Sequence, residues 1–450
     1  MHDHNIKKVL GQTEVMTLSL GAIIGWGWIV LSGGIILDAG SLGAIIAFVL
    51  SALVFTTIGL TYAELAAAMP QLGGEHVYSM RAFGKTISFI CTWSLTLTYV
   101  SVVALQAAAF PVAMEYFFPD LRFGYLWTFA GYEVYASYVL IGVITSLIIL
   151  GINLRGIRLS AKVQNIAVGA ILLLGIVFAI GSFGQNGQTA HLEPLFRDHI
   201  RGIFSVMVII PFLMVGFDVI PQTAEEIKLP PRKMVRLMMW SIYIAIAWYI
   251  LVVAALAFAL PSDQIDRDGF AVADAAIAAW NKPWMGNLVI ACGIAGIITS
   301  WNAFMIGGSR AMLAMAASGM LPERLNVIHP RYGSPYKTLA IITGVAIISA
   351  LMGRKAMIFF VNAGSFSLLI AYGIVAAAFL ALRRKEPDMP RPFRVKAGRL
   401  VGSLAMVCSL ALALLFLPGM PAALIPTEWI IVGIWMALGI VLYRRSSPIS

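Results

Sequence analysis

Charge is scarce in this chain. Only 12% of its 450 residues are Asp, Glu, Lys or Arg, while 60% are hydrophobic. A soluble domain cannot hide that much apolar surface, so a set of soluble domains is excluded and a polytopic membrane protein is indicated. Cysteine is nearly absent. Cys91, Cys292 and Cys408 all fall within apolar runs, which reads as free buried thiols and not as a disulfide framework. Histidine is also sparse, at six residues, with none central to an apolar run. No HExxH or Cys/His ligand spacing occurs, so no metal centre is expected, and no clustered catalytic groups suggest an enzyme. His2 and His4 read as part of a mobile tail. There is no Walker A sequence to bind ATP, and no other cofactor is implied. The start, MHDHNIKKVLGQTEV, is polar and lacks a cleavable signal pattern.

What is present is a series of apolar runs, near 15–37, 41–68, 84–114, 135–153, 160–181, 202–221, 235–260, 285–317, 338–353, 356–381, 400–418 and 422–443. The expectation is twelve transmembrane helices, with short tails at 1–14 and 444–450. The net charge of +10 does not point to nucleic acid, because 24 of the 31 Lys and Arg lie at one set of alternate run ends and seven at the other. The positive-inside rule then places both termini in the cytoplasm.

Two runs carry helix-breaking residues. The first holds GAIIGWGWIV, three glycines in seven residues, and each Gly in a helix interior costs about 1 kcal/mol relative to Ala. The sixth, VMVIIPFLMVGFDVIP, holds Pro211, Gly216 and Pro221, with Asp218 among them. A break is expected near Phe212 to Gly216. Unpaired backbone is tolerated in a membrane only where it lines a cavity or is buried in protein. Breaks in the first and sixth runs point to a five-plus-five inverted repeat, 15–181 and 202–381, with 400–443 appended. Half-helix amides in such folds meet an anion and unwound carbonyls a cation. Asp218, an ionisable group within a run, is read as functional, with a helix-end acid at the interface as the alternative. Glu64 and Glu115 are read as interfacial.

These motifs resemble those of the amino acid–polyamine–organocation superfamily. GAIIGWGWIV is similar to its first-helix motif, and YAELAAAMPQLGGEHVYSMRAFG to its second helix and following loop. GFDVIPQTAEEIKLPPRKM resembles its sixth-helix signature. SRAMLAMAASGMLPERLNVIHPRYGSP and LRRKEPDMPRPFRV resemble the segments after its eighth and tenth helices. The resemblance implies an all-α fold of LeuT type, with helices 1 and 6 broken, and alternating access across the cytoplasmic membrane by a symporter or antiporter. It places an amino acid carboxylate on the amides of Ile24, Gly25, Trp26 and Gly27. It places the amino group on the carbonyls of Pro211, Phe212, Leu213 and Met214. Phe304 is a candidate lining or gate residue. Asp218 is the candidate coupling group, where relatives carry an acid; an amine substrate bound by Trp26 and Asp218 is the alternative.

The departures matter as much. Trp26 stands where relatives carry a small residue; it either fills the cavity, stacks on a cation, or packs into the bundle. Ile171 falls at or near the position of a coupling lysine in proton-driven relatives. Thr299 and Ser300 are candidate sodium ligands, with bonding to their own helix backbone as the alternative. Coupling to a proton or to sodium therefore stays open. Glu75 and His76 read as a solvated loop, with part of an inner gate as the alternative.

Overall fold

The computed structural model describes residues 8–184, 187–267, 269–353 and 356–445, without the side chains of 356 and 357. His2, His4 and most of the two expected tails lie outside the described residues.

The fold is helical, as the apolar runs require. Among the described residues ten helices are long and apolar enough to cross a membrane. The ninth and eleventh runs form helices Tyr336–Met352 and Gly398–Leu414, of 17 residues each, below that length. We refer to each helix by the number of its run.

The first and sixth runs are interrupted. The first is helical over Gln12–Ile24, breaks at Gly25 and Trp26, and resumes as Gly27–Val30 and Ser32–Ala39. Gly25 has φ 43° and ψ −136°, a conformation that L side chains rarely adopt. The sixth is helical over His199–Met214 and resumes at Val219–Gln222. Its break begins at Val215, three residues later than the expected start. Pro211 is accommodated inside the helix, and the chain turns instead at extended Val215 and at Gly216, φ 133°. Glycine freedom, not proline, sets the breakpoint.

Three elements between the runs were not expected. A hairpin, Tyr125–Phe129 paired with Tyr132–Tyr135, precedes the fourth run. A helix, Ala271–Trp280, precedes the eighth. A helix, Glu75–Phe83, precedes the third and packs against the third and tenth runs. That last element corrects the reading of Glu75 and His76 as a solvated loop, because both side chains are buried. Arg310, within the eighth run, is 3% exposed in the eighth helix, Trp284–Ala317.

Candidate functional site

The two breaks lie against each other. A Cβ on Gly216 would fall 2.6 Å from Ala22 Cβ and 2.9 Å from the Ile23 amide nitrogen, and one on Gly27 would fall 2.4 Å from Leu213 Cδ2. The eighth helix closes the third side: a Cβ on Gly296 would stand 2.0 Å from the Gly25 carbonyl oxygen. Glycines at these positions let three backbones approach within contact distance.

A cavity of about 450 Å³ opens at this junction. Of the expected site residues, Ile24, Gly25, Trp26, Gly27, Phe212, Leu213 and Phe304 line it. Pro211, Met214 and Asp218 are buried but do not line it. The Pro211 carbonyl already accepts the Val215 amide at 3.1 Å. The cavity runs toward the hairpin end of the bundle, where Tyr132, Arg267, Phe270 and Asn362 take part in its wall. Arg267 is ion-paired with Asp38. Among the lining residues there is no Asp or Glu.

Where the breaks meet, the backbone is supported by the side chains of Tyr249, Gln106, Ser300 and Thr299. The Tyr249 hydroxyl reaches the carbonyls of Ile23 at 3.0 Å and Ile24 at 3.2 Å, holding the end of the first half-helix. In the resumed helix the Ile29 amide donates to the Trp26 carbonyl at 3.1 Å. The Gln106 amide donates to Ser300 Oγ at 3.1 Å, and both line the cavity. Thr299 Oγ1 contacts the Gly296 carbonyl of its own helix at 3.0 Å and the Gly21 carbonyl at 3.1 Å, so it ties the eighth helix to the first.

Trp26 both packs and lines. It is 2% exposed, its ring covers Gly293 of the eighth helix, and its edge meets Phe270 at 5.8 Å. Phe270 in turn meets Tyr116 at 5.7 Å, giving three aromatic rings in succession at the hairpin side of the cavity. The Trp26 indole N–H has no hydrogen-bond acceptor among the described residues. Ile171 is fully buried in the fifth helix, Ile157–Gly184.

Asp218 belongs to a second, deeper cluster. Its carboxylate accepts the Tyr99 hydroxyl and the Gly216 amide, each at 2.8 Å. This corrects the interfacial alternative, since the side chain is 0% exposed. Tyr99 packs on Phe304 at 5.3 Å, so one aromatic pair separates the acid from the cavity. Glu64, near the end of the second helix, is 1% exposed and held by Arg383, Arg391 and the Val395 amide. Glu115 keeps its place near a helix end, paired with Arg122.

The end of the bundle opposite the hairpin is knitted shut. The Arg310 guanidinium donates to Glu226 at 2.8 Å, and the Glu226 carbonyl accepts the amides of Val9 and Leu10. The Leu72 amide donates to Glu225 at 3.1 Å, and His76 meets Ser318 at 2.6 Å. Tyr249, Gln106 and Phe270 were not expected from sequence. Each sits in an ordinary apolar or loop context, and their partners are remote in the chain.

Comparison with known proteins agrees with this architecture. The amino acid permease family model matches residues 10–442. The chain is 26% identical over 453 residues to the branched-chain amino acid permease BcaP of Bacillus subtilis, covering 98% of this chain and 93% of that one. It is 25% identical over 454 residues to the methylthioribose transporter of the same organism, with the same coverage, 98% and 93%. It is 26% identical over 455 residues to the large neutral amino acids transporter small subunit 2 of Oryctolagus cuniculus, covering 94% of this chain and 81% of that one. The chain belongs to the amino acid permease family, within the amino acid–polyamine–organocation superfamily, and is a membrane transporter and not an enzyme.

Proposed function

We propose that this permease moves a zwitterionic amino acid with a small or apolar side chain by alternating access. The carboxylate sits on the amides around Gly25, Trp26 and Gly27, and the ammonium on the carbonyls of Phe212 and Leu213. Pro211 and Met214 stand behind that wall. The observation that carries the reading is the cavity where the two breaks meet, with a wall of backbone, Trp26, Leu105, Leu213 and Phe304 and no carboxylate. A diamine would need an acid there. The separation of Asp218 from the cavity by Tyr99 and Phe304 speaks against a cation site built from Trp26 and Asp218.

Twelve crossings in a five-plus-five inverted repeat, in the cell membrane with both termini cytoplasmic, fit the matched breaks and the bias of basic residues. In that orientation the cavity faces outward and the sealed end faces the cytoplasm. Asp218 is the coupling group for a proton, and Asp218→Asn abolishes transport or leaves it uncoupled from protons. The sodium alternative rests on Thr299 and Ser300, whose hydroxyls are engaged with Gly21 and Gln106.

The test is thermal stabilisation of the purified protein. A ligand that binds the native state raises the melting temperature by mass action. Leucine and alanine are expected to do so and putrescine not to; the reverse pattern refutes the amino acid site.

A further inference from the structure

At the sealed end, Glu75 is 0% exposed and has no ion-pair partner among the described residues. The Gln222 side-chain amide donates to Glu75 Oε2, while Glu75 Oε1 and Gln222 Oε1 have no hydrogen-bond donor among the described residues. Two acceptors with no donor in a buried place are costly, at about 1–3 kcal/mol each. A proton on the carboxyl turns one of those acceptors into a donor. The Tyr62 and Tyr78 hydroxyls, which also lack partners, are within electrostatic reach of the same carboxyl.

We propose that Glu75 is a second proton-binding site of this permease, which holds its proton while this end is sealed and gives it up when the end opens to water.

The surroundings support this from every side. The second run presents Tyr62, the third Cys91 and Tyr99, the sixth Asp218 and the tenth Tyr372, all neutral groups or acids. His76, next in the chain, is turned to Ser88 and Ser318, and burial lowers its pKa to about 4, so it is neutral at pH 7. Arg310, on the eighth helix, is committed to Glu226. Arg81 and Lys385 meet the other end of the Glu75–Phe83 helix, at Glu386 and the Ala82 carbonyl. Burial first, and then the Asp218 charge, hold the Glu75 carboxyl well above its ordinary value.

The position also links the proton to the gate. Gln222 ends the second half of the broken sixth helix, and its carbonyl accepts the Gly73 amide at 3.4 Å. A Cβ on Gly74 would lie 2.9 Å from Pro221 Cβ. Loss of the proton leaves a bare carboxylate against Gln222, favouring the arrangement in which water reaches it. The proton enters from and returns to water on the sealed side, so no other reactant is required.

The inference rests on the transport reading. The experiment is leucine exchange in proteoliposomes across a range of pH, with a pH-sensitive dye inside. Native protein is expected to move protons with leucine, its rate changing by up to about tenfold per pH unit beyond the midpoint. Glu75→Gln keeps a neutral side chain of the same shape. Its rate is expected to be flatter with pH than the native. A native pH profile in Glu75→Gln overturns the proposal. If that variant does not assemble, Tyr62→Phe serves: loss of a hydroxyl that favours the charged carboxyl moves the midpoint to higher pH, and an unmoved midpoint overturns the proposal. Absence of leucine counterflow in the native protein refutes the transport reading itself, which is a separate result.

Discussion

Gly296→Ala is the smallest change that strikes the proposed binding backbone from outside the cavity. The added Cβ would lie 2.0 Å from the Gly25 carbonyl oxygen, 2.8 Å from its carbon and 3.7 Å from its Cα. Real Cβ atoms essentially never approach closer than 3.0 Å, so the eighth helix or the first break must shift by at least about 1 Å. All three obstructing atoms are backbone, so no side chain can swing aside. Overpacking of this kind costs about 1–3 kcal/mol. If the cost falls on the bound geometry at Gly25, leucine affinity drops roughly 5- to 150-fold. Gly169→Ala and Gly344→Ala are the controls, since a Cβ at either meets nothing within 4 Å. Leucine-dependent thermal stabilisation and counterflow are measured for all three. Gly296→Ala with native affinity and rate would refute the reasoning that the eighth helix fixes the first break.

Two further substitutions address the wall and the seal. Trp26→Ser removes the ring that covers Gly293 and should admit bulkier side chains; competition of leucine uptake by phenylalanine and tryptophan is the readout, and an unchanged profile assigns Trp26 to packing alone. Arg310→Met leaves the Glu226 carboxylate buried without its partner, which costs about 3–5 kcal/mol. The double variant Arg310→Met/Glu226→Met should recover much of the lost melting temperature, and no recovery would show that the pair is not what holds this end.

The broken helices were legible because breaking residues inside apolar runs leave a local mark. Gly25 and Gly216 turn where a glycine is needed, and the family resemblance pointed to the same stretch. The position of the sixth break was less legible, because Pro211 is tolerated in a helix when packing supplies its neighbours. Seven of the ten expected site residues line one cavity. What failed was burial of polar residues. Glu75 and His76 look solvated by local polarity, yet tertiary contacts from the sixth and eighth runs cover them. Tyr249 left no mark at all: its hydroxyl partners, Ile23 and Ile24, lie 226 and 225 residues away in the chain. Long-range pairing of this sort is decided by packing, and a single sequence carries no periodicity for it.

The central claim, that a zwitterion binds between the two breaks and is carried across, is tested most directly by counterflow. Proteoliposomes are loaded with unlabelled leucine, alanine or putrescine, and the entry of labelled leucine is followed. The account predicts a transient, saturable overshoot with leucine or alanine inside and none with putrescine. An overshoot driven by putrescine alone, or leucine entry that is linear and unaffected by the loaded amino acid, would contradict it.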